Sequence, residues 1–195
     1  MHPEAGASDS PAPDLEQLMI RYQNGNAAAA KALVDLLSVQ LYFFFSSQMG
    51  SRAEADDMTQ ETWLRIHRVR HTYRPGEPLL PWVYAIARRV RVDNFRRRQR
   101  IARREVTTDV LPEVRSADSP ASDLPSFAEL VAPLPESQRE VLTMLKVNGL
   151  SIEEVACATA STVGAVKQKV HRAYDRLRAL LEHTSPGMAR GGAQR

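Results

Sequence analysis

Residues 79–104 read LLPWVYAIARRVRVDNFRRRQRIARR, apolar and aromatic at the start and densely cationic at the end. Pro81 suits the first turn of a helix, where its missing N–H costs nothing. No further Pro or Gly interrupts the stretch, so one continuous helix is predicted. Leu79, Val83, Ile86 and Val90 recur at helical steps and mark one buried face. Between positions 88 and 104 stand nine arginines and a single acid, Asp93. Such a density calls for an external polyanion, most commonly a phosphate backbone. A membrane-surface helix fits less well, because the arginines surround the helix and leave no lipid face. Trp82 and Tyr84 open the stretch beside a proline loop, the pairing of rings and cations that single-strand binders use.

Upstream, Asp14 is the expected cap of a short helix that Asn24-Gly25 ends. Asn26 caps a longer helix to about Met49, with Ala30, Leu33, Leu37, Leu41 and Phe44 as its buried stripe and Phe43, Phe44 and Phe45 read as core. A third helix is predicted from Arg52 to His71. Met58, Thr62, Ile66 and Val69 face inward, with Trp63 beside them. Asp56, Asp57, Gln60, Glu61 and Arg65 face outward. Tyr73 to Pro78 form a loop by their Pro and Gly content.

Downstream, residues 105–125 carry five acids against one Arg115, a net charge of −4, with three prolines. This composition reads as a flexible acidic linker. A second helical unit follows over 126–183. Ser126 caps the segment from Phe127, Pro135-Glu136 opens the next helix, and Asn148-Gly149 stops it. Ser151 caps another with Glu154 at the capping-box position, and Thr162 caps the last. The last helix buries Val163, Val166, Val170, Ala173, Tyr174, Leu177 and Leu181. The final pair reads as a helix-turn-helix, its outward face starting small at Gly164 and Ala165 and continuing with Gln168 and Arg172. No strand-like alternation occurs. The chain is expected to be all-α, two small helical domains (14–104 and 126–183), with disordered ends at 1–13 and 184–195.

The 195 residues carry a net charge of only +3, so basicity is local and marks a site. Cys157, the only cysteine, excludes an internal disulfide and is expected to be a small buried residue. The amino terminus lacks a signal-peptide core, and no run approaches the roughly eighteen apolar residues of a membrane span, so a cytoplasmic protein is expected. Histidines 2, 67, 71, 171 and 183 share no metal-ligand spacing, and no phosphate-cradling loop or HExxH occurs. No enzyme, cofactor, metal or small-molecule substrate is expected.

Three segments then resemble one family in one order. Residues 56–65, DDMTQETWLR, are similar to the D-x-x-Q-E-T-F-x-R signature of region two in bacterial sigma-70-type factors. Residues 81–88, PWVYAIAR, with Asp93, Arg96 and Arg97, resemble a later segment of that region. Residues 134–141, 149–156, 163–167 and 171–173 resemble region four. Two regions joined by a short linker are similar to the extracytoplasmic-function (ECF) subgroup. The resemblance implies that Asp56, Asp57, Gln60, Glu61 and Arg65 dock on core RNA polymerase. It implies that Arg88, Arg89, Arg91, Asn94, Arg96 and Arg97, with Trp82 and Tyr84, meet the minus-ten element, and that the loop from Thr72 to Pro78 holds a flipped base. Thr162, Gly164, Ala165, Lys167, Gln168, Lys169, His171 and Arg172 would read the minus-35 element. An anti-sigma factor, membrane-bound or free, is the implied regulator. Arg89 stands where the family often has Asn. The turn is Ala160-Ser161-Thr162 where the family usually has Gly, and a left-handed Ala160 would cost about 1 kcal/mol relative to Gly. The competing readings are a helix-turn-helix regulator without polymerase, for which the outward face at 56–65 has no use, and an adaptor that contacts only proteins.

Overall fold

A computed structural model describes residues 14–49, 51–104 and 127–184. The expectations for 1–13, 105–125, the Ser126 cap and 185–195 lie outside the described residues. Helices α1 (Leu15–Gln23), α2 (Ala27–Ser46), α3 (Arg52–Val69) and α4 (Leu79–Arg104) form the first half. Helices α5 (Phe127–Val131), α6 (Glu136–Lys146), α7 (Ile152–Ala158) and α8 (Val163–Thr184) form the second. Among the described residues there is no strand.

The predicted punctuation works through hydrogen bonds. The Asp14 carboxylate accepts from the Glu16 and Gln17 amides, and the Asn26 side chain accepts from that of Ala29. Ser151 and Glu154 form a reciprocal capping box at α7. Gly149 has φ +69°, which suits the stop after α6.

Five expectations are corrected. The α2 stripe begins at Ala29, with Ala30 only half-buried, and of the three phenylalanines only Phe44 and Phe45 are core while Phe43 is 51% exposed. Three consecutive residues span 200° of a helix, so a one-sided core cannot cover all of them. The third helix stops at Val69 and tightens into a 3-10 turn over Arg70–Thr72, leaving Val69 half-buried. On α8, Tyr174 and Leu181 are exposed: Tyr174 stands about 100° off the stripe of Val166, Ala173 and Leu177, and Leu181 lies beyond the last buried residue of that stripe. Cys157 is exposed too, on the outer side of α7.

α2 meets the length and composition of a membrane-crossing helix, with a mean hydropathy of 1.5, which the expectation of no such run overlooked. It packs between α1 and α3 and buries Leu33, Leu37, Leu41, Phe44 and Phe45, as the central helix of a bundle does. The two halves also share a core. Val141, Met144, Leu150, Val155, Ala156 and Val166 belong to the same buried cluster as Phe44, Val83, Tyr84 and Val90. A smaller cluster of Val131, Leu134, Leu142, Ala173 and Leu177 lies within the second half. α4 therefore packs on α3 and on α7.

Candidate polymerase and nucleic-acid interfaces

α3 buries Ala55, Met58, Thr59, Thr62 and Ile66 and turns its acidic side outward. Asp56, Asp57 and Gln60 are exposed, while Glu61 and Arg65 are half-buried. Arg65 is not a free docking cation: its Nη1 donates to Asp93 Oδ2 at 2.7 Å, with Glu61 at 3.8 Å. The Arg65 hydrogen bond holds the Asp93 carboxyl below the usual carboxylate range. The pair ties α3 to α4. Between the helices lies a concavity lined by Asp57, Gln60, Glu61, Leu64, Asn94 and Arg97, with Leu64 exposed in it.

The arginines of α4 divide into two sets. Arg89, Arg96 and Arg97 are exposed. Arg88 and Arg91 turn toward the second half of the chain, where Arg91 is buried, while Asn94 is buried beside Arg97 at the concavity facing α3. Arg91 Nη2 donates to Glu140 Oε1 at 3.0 Å, Arg88 Nε lies 3.2 Å from the same oxygen, and Glu136 also pairs with Arg91. A carboxylate as buried as Glu140 needs such partners. Burial lowers the Arg91 guanidinium pKa, and the Glu140 charge opposes that shift. The surface expected to meet DNA is thus covered by α6 at Arg91, and Asn94 is withdrawn into the α3 side of α4. Sequence reasoning missed Glu140. Its signal was a short helix, α6, buried on several sides, at Gln138, Glu140, Val141, Leu142, Thr143 and Met144, as befits an element with neighbours on two faces.

Before α4, Tyr73 anchors the loop. It is buried, its hydroxyl donates to the Glu77 carbonyl at 2.5 Å, and its ring meets Trp82 edge-on at 5.6 Å. Gly76 turns the backbone with φ +88°. Trp82 is half-buried at the base of this loop. Tyr84, grouped with Trp82 as DNA-facing, is only 1% exposed and packs on Phe44 at 5.4 Å. It is a core residue, one helical turn before the buried Ala87 on the side of α4 that faces Phe44. His67 is exposed and has the Tyr22 hydroxyl 2.7 Å from its Nδ1.

In the helix-turn-helix, Ala160 takes the left-handed conformation at φ 49°. Ser161 N donates to Ala156 O at 2.9 Å, and the Thr162 hydroxyl accepts from Ala165 N at 3.1 Å to cap α8. Thr162, Gly164, Lys167, Gln168, His171 and Arg172 are exposed together, with Ala165 and Lys169 half-buried beside them. His171 lies 3.4 Å from Asp175. A Cβ on Gly164 would meet nothing within 4 Å among the described residues, which leaves this end of α8 open to close approach.

Two family descriptions match, Sigma-70 region 2 over residues 33–101 and Sigma-70, region 4 over residues 126–177. The ECF RNA polymerase sigma factor SigF of Caulobacter vibrioides is 32% identical, over 86% of this chain and 92% of that protein. The chain belongs to the ECF sigma factors of the sigma-70 family. CarQ of Myxococcus xanthus, an RNA polymerase sigma factor, is 28% identical over 88% of this ECF chain and 100% of its own. Among solved structures, the sigma factor RpoE in complex with the anti-sigma factor NepR from Bartonella quintana aligns with a TM-score of 0.66 and 25% identity, covering 78% of this chain and 96% of that one. CnrH, in complex with the cytosolic domain of CnrY, shares the fold with a TM-score of 0.67 at 24% identity, over 88% and 100% of the two chains. This ECF factor is a DNA-binding initiation factor that recruits core RNA polymerase to promoters and promotes their opening; a regulator acting without polymerase is not favoured.

Proposed function

We propose the following division of labour within the ECF factor. Asp56, Asp57, Gln60 and Glu61 dock on core RNA polymerase, with Arg65 bracing them from behind through Asp93. Arg89, Arg96 and Arg97 hold the phosphates around the minus-ten element with Asn94 beside Arg97, joined by Arg88 and Arg91 once α6 has moved off α4. Trp82 and the loop from Thr72 to Pro78 receive an unstacked base. Thr162, Gly164, Ala165, Lys167, Gln168, Lys169, His171 and Arg172 form the surface that meets the minus-35 element, Gln168 and Arg172 at base edges and Lys167 at phosphate. The observation that carries this reading is the exposed acidic face of α3 beside the exposed arginines of α4, two surfaces of opposite sign on adjacent helices. A polymerase-docking face and a phosphate-docking face need that separation.

An anti-sigma protein is the proposed regulator, supported by the similar fold that RpoE presents in its complex with NepR. The site of action is the cytoplasm, where the polymerase works. The test is reconstitution: core polymerase with this protein should start transcripts at specific promoters. Replacing Asp56, Asp57 and Glu61 by alanine should abolish capture of core while leaving duplex DNA binding intact. Unchanged capture would remove the docking assignment.

A further inference from the structure

α1 ends against the stem of the loop that precedes α4. Gln23 Nε2 donates to the Arg70 carbonyl at 2.6 Å and to the Tyr73 carbonyl at 2.9 Å. Both partners are acceptors, so only the amide nitrogen, with two N–H groups, can serve them. One side chain thus ties the start of the 3-10 turn to the residue just past its end. Beside it, the Tyr22 hydroxyl meets His67 Nδ1 at 2.7 Å, and the Arg70 guanidinium lies 5.7 Å from the Tyr22 ring centre. These contacts all fall between His67 and Tyr73. Beyond that stem, Tyr73 closes the loop from inside through Glu77 and Trp82. Arg74, Pro75, Gly76 and Glu77 are left exposed.

We infer that Gln23 is a positioning residue for promoter opening: by fixing the Arg70 and Tyr73 carbonyls it sets where the loop stands relative to Trp82 and the exposed arginines of α4. A base that leaves the duplex must meet a pocket already in place, since ordering a loop at that moment would oppose capture. The inference rests on the proposed reading of the loop as the base-receiving element. Gln23 does not touch DNA in this scheme.

The test uses holoenzyme built with core polymerase and a promoter fragment selected from random duplex DNA by the wild-type protein. 2-Aminopurine replaces each base of the melted segment in turn. Gln23→Met keeps length and removes both donors. It should lower the opening equilibrium at the captured base about tenfold, the scale of one or two net hydrogen bonds, with core affinity and binding to the closed duplex unchanged. Gln23→Lys keeps a multiple donor and should restore most of the signal. Full opening with Gln23→Met, or equal loss of core affinity and opening, overturns the inference. Replacing residues 74–77 by Gly-Ser-Gly-Ser is the control for the loop itself. If that leaves opening intact, the reading of the loop fails; if it abolishes opening while Gln23→Met does not, only the role of Gln23 fails.

Discussion

Arg91 and Glu140 face each other at 3.0 Å across the seam between the two halves of the chain, their side chains only 7% and 3% exposed. Removing one partner of such a buried pair costs about 3–5 kcal/mol when the other charge stays trapped. Here Arg91 has an escape, because parting the halves returns it to water. Glu140→Gln should therefore open the molecule rather than unfold it. Small-angle scattering should show a larger radius of gyration with unchanged helical content. The free protein should bind duplex DNA more tightly, with a steeper salt dependence as Arg88 and Arg91 become available to phosphates. Equal dimensions and equal salt slopes would show that the pair does not hold the seam.

The Arg65–Asp93 pair gives a pH signature. The Asp93 pKa is lowered in the fold, so its contribution is fully present above the unfolded value of about 3.9 and fades as pH falls through the folded one. With the Asp93 side chain 43% exposed, the gain is modest, under about 1 kcal/mol. Asp93→Asn should lower the melting temperature slightly at pH 7, and the difference from wild type should shrink steadily as pH falls below about 4. A difference independent of pH would assign the loss to packing.

Tyr84 and Trp82 should separate cleanly. The Tyr84 hydroxyl is buried without a hydrogen-bond partner among the described residues, and burial pushes its pKa above the ordinary phenol value. An unpaired buried hydroxyl costs about 1–3 kcal/mol, so Tyr84→Phe should raise thermal stability and leave promoter opening unchanged. Trp82→Ala should impair opening measured by permanganate footprinting. Impaired opening in Tyr84→Phe would restore Tyr84 to the DNA-facing set.

On α8, Gln168→Ala and Arg172→Ala should each weaken upstream-element binding by about 1–3 kcal/mol and relax preference at one base position. Lys167→Ala should weaken all sequences alike and reduce the salt slope. Binding-site selection with the variant holoenzymes distinguishes the two patterns.

Most helices were legible because their signals are local. Asp14, Asn26, Ser151 and Thr162 cap where side-chain chemistry says they should, and Leu33, Leu37 and Leu41 line a face by periodicity alone. The outward placement of Asp56, Asp57 and Gln60 follows from the same periodicity. What escaped depends on partners distant in sequence. Arg91 looks like any other arginine of its run until Glu140, 49 positions on, is brought against it. Gln23 is an ordinary polar residue at a helix end until the carbonyls of Arg70 and Tyr73 arrive. Tyr84 was misread because an aromatic beside cations has the same pattern whether it stacks on a base or on Phe44.

The seam between the halves is not only ionic. Val155 and Ala156 of α7 share a buried cluster with Val83, Ala87 and Val90 of α4, so parting the halves exposes apolar surface on both sides. That part of the resistance to opening weakens on cooling, since apolar hydration becomes less unfavourable at low temperature. The protein should thus be a thermometer of a modest kind: chilled, it loosens and uncovers its arginines; warmed toward its melting point, it closes more firmly before it unfolds.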